Sequence, residues 1–182
     1  MAFTVVLDTC VLYPANLRDS LLRLAEAGLY VPRWSAGIRE ELSRNLLELG
    51  INEGSVKRLL EVMAAAFPEA DVTGYERLIE SMTCDEKDRH VLAAAVRANA
   101  SALVTFNVRD FPPASVGGLD IDIVHPDDFL LDILDLAPRA VVEALRVQVA
   151  QNRRQPLSWA SLLEVLERAG VPRFVAELRR RG

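Results

Sequence analysis

The sequence predicts an α/β fold in which a central parallel sheet is flanked by helices and followed by an all-helical C-terminal extension. Apolar segments suited to strands alternate with amphipathic stretches, which is typical of parallel sheets covered by helices. After Pro138 only helical patterns occur, so we predict a domain over residues 1–137 and a helical extension over 138–182. A chain of 182 residues is long enough for one such domain with a small appendage.

Each predicted element depends on a local pattern. Strands are predicted at residues 4–8 (TVVLD), 101–106 (SALVTF) and 120–124 (DIDIV), with a short extended piece at 29–35 (LYVPRWS). Helices are predicted from apolar stripes at Leu17–Leu24, Ile38–Leu46, Val56–Phe67, Tyr75–Met82, Val91–Ala95 and Val141–Val149, and from the segments WASLLEVLERAG and PRFVAELRRR. Ser35 and Ser158 are predicted N-caps. Asp85 is predicted to begin the helix that carries Val91.

Composition excludes several classes of protein. No apolar run approaches the roughly 20 residues that a membrane-spanning helix needs, and the N-terminus does not resemble a signal peptide. Two cysteines, Cys10 and Cys84, do not form a disulfide framework. We therefore expect a cytoplasmic protein without a membrane partner.

Charge is distributed unevenly along the chain. Residues from Arg139 onward contain nine Arg and four Glu, a net charge of +5. The whole chain carries −5, so residues 1–138 carry −10. An acidic body followed by a basic tail predicts that the extension binds an anionic partner.

Polar residues follow two of the predicted strands at the points where the strands end. Asp8 ends the first strand, Thr105 lies at the end of the strand at 101–106, and Asn107 and Asp110 follow that strand. Ligands of open parallel sheets collect at the carboxyl ends of the strands. These side chains are therefore candidates for one site.

Two helices add carboxylates that lean toward the core. Glu41 borders the stripe of Ile38 and Leu42, whereas Glu40 lies about 200° around the helix from Ile38 and should face solvent. Asp88 lies three residues before an apolar stripe, so it also leans inward.

Each acid also has a purely structural explanation. Asp85 is a candidate N-cap, with Asp88 as its capping-box partner. Asp8 could accept a hydrogen bond from a neighbouring turn, Glu41 could be a solvated helix charge, and Asp110 could form the turn before the segment FPP.

Taken together, the four carboxylates of Asp8, Glu41, Asp88 and Asp110 would repel one another unless a counter-charge joined them. A hard divalent cation such as Mg²⁺ or Mn²⁺, bound by oxygen, is the natural counter-charge. Such a centre is suited to phosphodiester hydrolysis, because the metal activates a water and stabilises charge on the phosphate.

Four segments resemble, in order and spacing, the acidic motifs of the PIN domain, a family that includes the VapC-type toxins of bacterial toxin–antitoxin pairs. These segments are VVLDTCVL, WSAGIREEL, DEKDRHVLAAAV and ALVTFNVRDFP, and the resemblance covers residues 3–130. The segment HPDDFLLD also resembles the end of the domain in a bacterial subgroup that carries a helical C-terminal extension.

The resemblance implies a PIN-like fold and assigns roles to residues. Its catalytic and metal-binding positions fall on Asp8, Glu41, Asp88 and Asp110, and its auxiliary or substrate-contacting positions on Thr105, Asn107 and Asp85. It implies a Mg²⁺- or Mn²⁺-dependent endoribonuclease that cleaves single-stranded RNA and is held inactive by a small cognate antitoxin. PIN toxins often form homodimers, although no patch in this sequence identifies an interface.

The first motif departs from the family pattern at one position. Cys10 stands where Asn or Ser usually supports the first Asp by hydrogen bonding. A thiol is a weaker donor, so we expect Asp8 to be less well oriented but still functional.

Two other classes of function are weighed against the ribonuclease. A haloacid-dehalogenase-type phosphatase needs a second Asp where Cys10 stands, and a response-regulator receiver needs a Lys after a late strand, whereas the chain has only Lys57 and Lys87. The other alternative is a PIN-like module with weak or no catalysis that binds RNA or protein.

Overall fold

The computed structural model describes residues 3–152 and 158–181. Over these residues the chain forms a five-stranded, wholly parallel sheet with helices around it, which confirms the predicted α/β class. The strands are β1 (Thr4–Leu7), β2 (Val31–Ser35), β3 (Asp71–Val72), β4 (Ala102–Val104) and β5 (Asp122–Val124), and they lie in the order β3-β2-β1-β4-β5.

The central strand β1 fixes the position of the acidic edge. Val5, Val6 and Leu7 have no exposed surface, as expected for a strand covered on both faces. Leu7 pairs with Val104 of β4, so both strands end at the same level. The backbone N–H of Asp8 continues the pairing by donating to the carbonyl of Val104 at 3.1 Å.

One compact unit comprises residues 1–13 and 30–124. Its helices are α1 (Thr9–Leu12), α3 (Ala36–Glu48), α4 (Glu53–Ala66), α5 (Arg89–Arg97) and α6 (Pro113–Val116), with 3-10 helices at Glu76–Ser81, Glu86–Asp88 and Val108–Asp110. Ser35 is the N-cap of α3, as predicted, because its hydroxyl accepts the backbone N–H of Ile38 at 3.2 Å.

The local structure of this unit differs from the predicted elements in several places, and the short helices α1 and α6 were not predicted. Strand β3 was not predicted, because two residues are too short to show an alternating pattern. The helix predicted at Tyr75–Met82 is a 3-10 helix. Asp85 caps a separate 3-10 turn, and α5 begins only at Arg89.

The second compact unit comprises residues 14–29 and 125–182. It contains α2 (Ala15–Glu26), α7 (Pro126–Leu136), α8 (Pro138–Gln151), α9 (Trp159–Arg168) and α10 (Pro172–Arg181). Helices α2 and α8 are joined by a buried polar contact, in which the hydroxyl of Ser20 donates to Oε1 of Gln148 at 2.7 Å. Compact packing does not decide which segments are separate domains, so the boundary expected between residues 137 and 138 stays a prediction.

Helices α2, α8, α9 and α10 follow the predicted patterns, whereas α7 was not predicted as a helix. Ser158 caps α9, as predicted, by accepting the backbone N–H of Ser161 at 3.1 Å. Among the described residues, no helix combines the length and the apolar character needed to cross a membrane.

Candidate active site

Asp8 is the buried centre of the acidic edge. It ends β1 and caps the short helix α1, and only 3% of its surface is exposed. Its Oδ1 accepts the backbone N–H of Thr9 at 2.7 Å, and its Oδ2 accepts the hydroxyl of Thr105 at 2.7 Å. Burial raises the pKa of Asp8, while these hydrogen bonds oppose the shift. The carboxylate is therefore rigidly oriented although its charge is poorly solvated.

Cys10 takes part in orienting Asp8. Its thiol donates to Oδ2 of Asp8 at 3.2 Å, and its sulfur accepts the backbone N–H of Phe106 at 3.2 Å. Burial, reinforced by the charge of Asp8, raises the pKa of this thiol to about 12. The thiol therefore keeps its proton at neutral pH. The thiol is thus held by the Phe106 N–H while it donates to Asp8, and the expectation that this weaker donor orients Asp8 less well stays a prediction.

Glu41 reaches the same edge from α3. The predicted helix phase is confirmed, because Ile38 and Leu42 are buried, Glu40 is exposed and Glu41 is half-buried. Oε2 of Glu41 accepts the hydroxyl of Thr9 at 3.0 Å. Thr9 therefore links the two carboxylates, through its backbone to Asp8 and through its hydroxyl to Glu41.

His90 also approaches Glu41, since its Nε2 lies 3.7 Å from Oε2 of the carboxylate. Gly37 permits this close approach: a Cβ at that position would stand 2.9 Å from Nδ1 of His90 and 3.3 Å from the hydroxyl of Tyr75. The backbone N–H of Gly37 instead donates to the Tyr75 hydroxyl at 3.1 Å. The glycine in the segment WSAGIREEL thus brings the start of α3 close to α5.

Asp88 precedes α5 and is only 7% exposed. It is not the capping-box partner of Asp85, because the backbone N–H of Asp85 donates to the carbonyl of Asp110 at 3.0 Å. Oδ2 of Asp88 is buried and has no hydrogen-bond partner among the described residues. Burial raises the pKa of Asp88 to about 7; the charges of Asp8 and Asp110 act in the same direction, and Lys87 opposes them. Nζ of Lys87 lies 4.0 Å from this oxygen, beyond hydrogen-bond distance. A buried carboxylate oxygen without a hydrogen bond is costly unless a cation binds it closely.

Asp85 itself has the structural role weighed for it. Its Oδ1 accepts the backbone N–H of Lys87 at 3.2 Å, which caps the 3-10 turn. Asp110 ends the 3-10 helix after β4, and its Oδ2 lies 3.2 Å from Nζ of Lys87. The backbone N–H of Asn107 donates to the Thr105 hydroxyl at 3.0 Å, so this loop is tied to the support of Asp8.

The structure thus gathers Asp8, Glu41, Asp88 and Asp110 at one edge, where their charges act on one another. As the described side chains stand, no group of three or more His, Cys, Asp or Glu residues is arranged to hold a metal ion. The chemistry of the donors nevertheless fits a hard divalent cation, because every donor is a carboxylate oxygen and Oδ2 of Asp88 receives no hydrogen bond from the described residues.

Three contributors were not singled out from the sequence. Thr9 and Lys87 each neighbour a candidate acid in the chain, which is a signal that could have identified them. The sequence favours a structural role for His90, and its proximity to Glu41 depends on the packing of α3 against α5, which sequence spacing does not specify.

Comparisons with known proteins agree with this fold. The family model described as PIN domain matches residues 4–109, which is more than half of the chain. The model described as VapC50 C-terminal domain matches residues 126–180. A Mycobacterium tuberculosis protein named "Putative ribonuclease VapC50" is 44% identical over 107 residues, or 59% of this chain. The match spans 63% of that relative, less than two thirds of its length. No solved structure matches the chain significantly.

Proposed function

The chain belongs to the PIN-domain family, and on that premise we propose that it is a Mg²⁺- or Mn²⁺-dependent endoribonuclease that cleaves single-stranded RNA. The observation that carries the proposal is the buried pair of Asp8 and Asp88 at the carboxyl edge of the sheet, where Oδ2 of Asp88 receives no hydrogen bond from the described residues. Two structural carboxylates at a sheet edge would be expected to have complete hydrogen bonding.

In this proposal Asp8 and Asp88 hold the divalent ion, with Glu41 and Asp110 at its flanks. When bound, the ion supplies activation of a water and stabilisation of negative charge on the phosphate. Thr105 and Cys10 fix one oxygen of Asp8, and the backbone of Thr9 fixes the other. The Thr9 hydroxyl holds Glu41 beside them at 3.0 Å. These contacts keep the oxygen donors in place before the metal and substrate arrive, which is the condition for a preorganised site.

The proposed biological role is that of the toxin in a type II toxin–antitoxin pair, acting in the cytoplasm and restrained by a small cognate antitoxin. Support comes from the PIN domain match, from the match to the VapC50 C-terminal domain and from the name of the mycobacterial relative. The homodimer expected from the family resemblance stays a prediction.

The experiment that tests the proposal compares the wild-type protein with Asp8→Asn. We expect the wild type to cut unstructured RNA in Mg²⁺ or Mn²⁺ and to leave it intact in chelator. We expect Asp8→Asn to lose cleavage by about 100-fold or more, since it removes a charged ligand of the metal. In chelator the variant should melt at a temperature equal to or higher than the wild type, because one charge of a self-repelling cluster is gone.

The melting experiment separates a lost catalytic group from a damaged fold. Near-normal cleavage by Asp8→Asn would contradict the assignment of the metal site. A wild type that binds RNA but never cuts it, with or without metal, would instead indicate the non-catalytic binding module.

A further inference from the structure

Lys87 is a cation placed inside the acidic cluster. It belongs to the 3-10 turn just before Asp88, and its side chain is 66% exposed. Nζ lies 3.2 Å from Oδ2 of Asp110 and 4.0 Å from Oδ2 of Asp88. One ammonium therefore approaches two carboxylates from separate parts of the chain.

The local backbone holds Lys87 in this place. The side chain of Asp85 accepts the N–H of Lys87, and the N–H of Asp85 donates to the carbonyl of Asp110 at 3.0 Å. The turn that carries the ammonium is thus bound directly to the turn that carries Asp110. A surface lysine paired only by chance would not have this backbone connection to the residue it pairs with.

The two carboxylates beside Lys87 are not equally satisfied. Asp110 has the ammonium within direct ion-pair distance, whereas Oδ2 of Asp88, in a residue only 7% exposed, has no hydrogen bond. The ammonium therefore lies closer to Asp110, and Asp88 has only the longer ion-pair contact, at 4.0 Å. A single charge of +1 cannot neutralise all four carboxylates, so the cluster still requires a further cation.

We propose that the ammonium of Lys87 permanently occupies the position of a second cation, so that the site binds one divalent ion rather than two. This inference rests on the proposed function, and it specifies the metal stoichiometry of that site. The divalent ion binds at Asp88 and Asp8, while Asp110 remains paired with Lys87. A second divalent ion near Asp110 would have to displace the ammonium or bind against its repulsion.

The test is the number of Mn²⁺ ions bound, measured by calorimetric titration of the full chain without RNA. The variants are Lys87→Met, which keeps an unbranched apolar side chain without the charge, and Lys87→Arg, which keeps the charge. Lys57→Met is a matched control, because Lys57 is the only other lysine of the chain and is exposed beside Glu61 at 3.9 Å. Since the side chain of Lys87 is largely exposed, we expect all variants to fold.

The expected result is one Mn²⁺ in the wild type, in Lys87→Arg and in Lys57→Met, and two in Lys87→Met. The first ion should also bind Lys87→Met about tenfold or more tightly, because a neighbouring positive charge has been removed. Two ions in the wild type, one in Lys87→Met, or no bound Mn²⁺ at all would overturn the inference.

The inference and the proposed function fail in different ways. Wild-type protein that cuts RNA but binds two Mn²⁺ ions contradicts only the role of Lys87. Wild-type protein that binds one Mn²⁺, gains a second on Lys87→Met and never cuts RNA contradicts the ribonuclease and leaves the role of Lys87 intact.

Discussion

The side chain of Asp8 receives hydrogen bonds from three residues, one of which reaches it only in the folded chain. Thr9 and Cys10 are its sequence neighbours, whereas Thr105 comes from the end of β4. The position of Asp8 at a strand end could be predicted from the apolar run before it. The contribution of Cys10 could not, because it depends on the Phe106 N–H that turns the sulfur toward Asp8.

Substitution of Cys10 should show whether the thiol orients Asp8. Cys10→Ala removes a donor to a carboxylate, and hydrogen bonds to charged groups contribute roughly 1.5–3 kcal/mol, so we expect cleavage to fall by about tenfold. Cys10→Ser keeps a donor and should retain most of the activity. The measurement is the single-turnover rate of RNA cleavage in saturating Mg²⁺. Equal rates for the alanine and serine variants would show that the donor is dispensable.

The raised pKa of Asp88 predicts how the metal-free protein responds to pH. The pKa of Asp88 is about 7 in the folded state, whereas that of an Asp in an unfolded chain is about 3.9. Between these values the folded state binds more protons, so the free energy of unfolding should fall as pH rises from about 4 to 7. The stabilisation that protonated Asp88 provides is complete below the pKa of the unfolded state. It is lost as the pH rises through the pKa of the folded state. Asp8, whose pKa is also raised, acts in the same direction.

The measurement for Asp88 is urea unfolding in chelator at several pH values across that window. Asp88→Asn cannot titrate, so its stability should fall less steeply with pH than that of the wild type. Saturating Mg²⁺ should reverse the wild-type trend at high pH, because it binds the ionised form. Parallel pH profiles for the two proteins in chelator would contradict the assignment.

At the scale of elements, the long helices and the buried strands were predictable from periodicity, since their stripes correspond to buried faces. The shorter pieces were not: β3, α1 and the 3-10 turn at Glu86–Asp88 each have too few residues to show a period. The capping of the first turn of α10 could not be predicted either, because it depends on a distant residue. Asp127, far away in the chain, accepts the backbone N–H groups of Arg173 and Phe174 at 3.1 and 2.8 Å.

The phase of α3 gives a direct test of the candidate site. Glu41→Gln should raise the Mg²⁺ concentration needed for half-maximal cleavage by about tenfold or more, because it removes a negative charge beside Thr9 and Asp8. Glu40→Gln is its matched control, since Glu40 is the adjacent residue on the same helix and is exposed. The measurement is the Mg²⁺ concentration at half-maximal cleavage. A larger effect from Glu40→Gln would show that the exposed face of α3 is the functional one.

At the scale of the whole molecule, fewer arginines of the C-terminal region are unpaired than the sequence suggests. Among its described residues, four arginines form ion pairs: Arg173 with Asp128, Arg179 with Glu167, Arg180 with Glu177, and Arg181 with Glu177 and Asp135. Arg153 and Arg154 lie outside the described residues. The net charge was predictable from composition, but the internal pairing was not, because it depends on how α7, α9 and α10 pack.

We predict that the extension serves binding and not chemistry, and the pairing indicates which of its arginines can contact an anionic partner. Arg139, Arg146 and Arg168 form no ion pair among the described residues, so they are the arginines available to RNA phosphates. We expect their joint substitution by Gln to weaken RNA affinity several-fold. The salt dependence of binding should also decrease, by about one in log–log slope for each arginine–phosphate pair that is removed. The measurement is RNA affinity at two or more salt concentrations, with Asp8→Asn in the background to prevent cleavage.

The matched control replaces Arg173, Arg179 and Arg180 by Gln, which removes the same charge from arginines already paired. This set should change RNA affinity less. An equal decrease from both sets would mean that only total charge matters, and no decrease from either would leave RNA binding to other parts of the chain.

The membership of α2 in the same compact unit as α7–α10 has a consequence for synthesis on the ribosome. The ribosome synthesises α2 before α8 and α9. Helix α2 packs on both, and they begin more than a hundred residues later in the chain. At about 5–20 residues per second, roughly 6–22 s separate the end of α2 synthesis from the start of α8 synthesis. Asp8, Glu41, Asp88 and Asp110 have all been translated before α8 begins. A nascent chain therefore carries every candidate catalytic acid while α2 still lacks α8 and α9, and α2 can pack on these helices only after both have been synthesised.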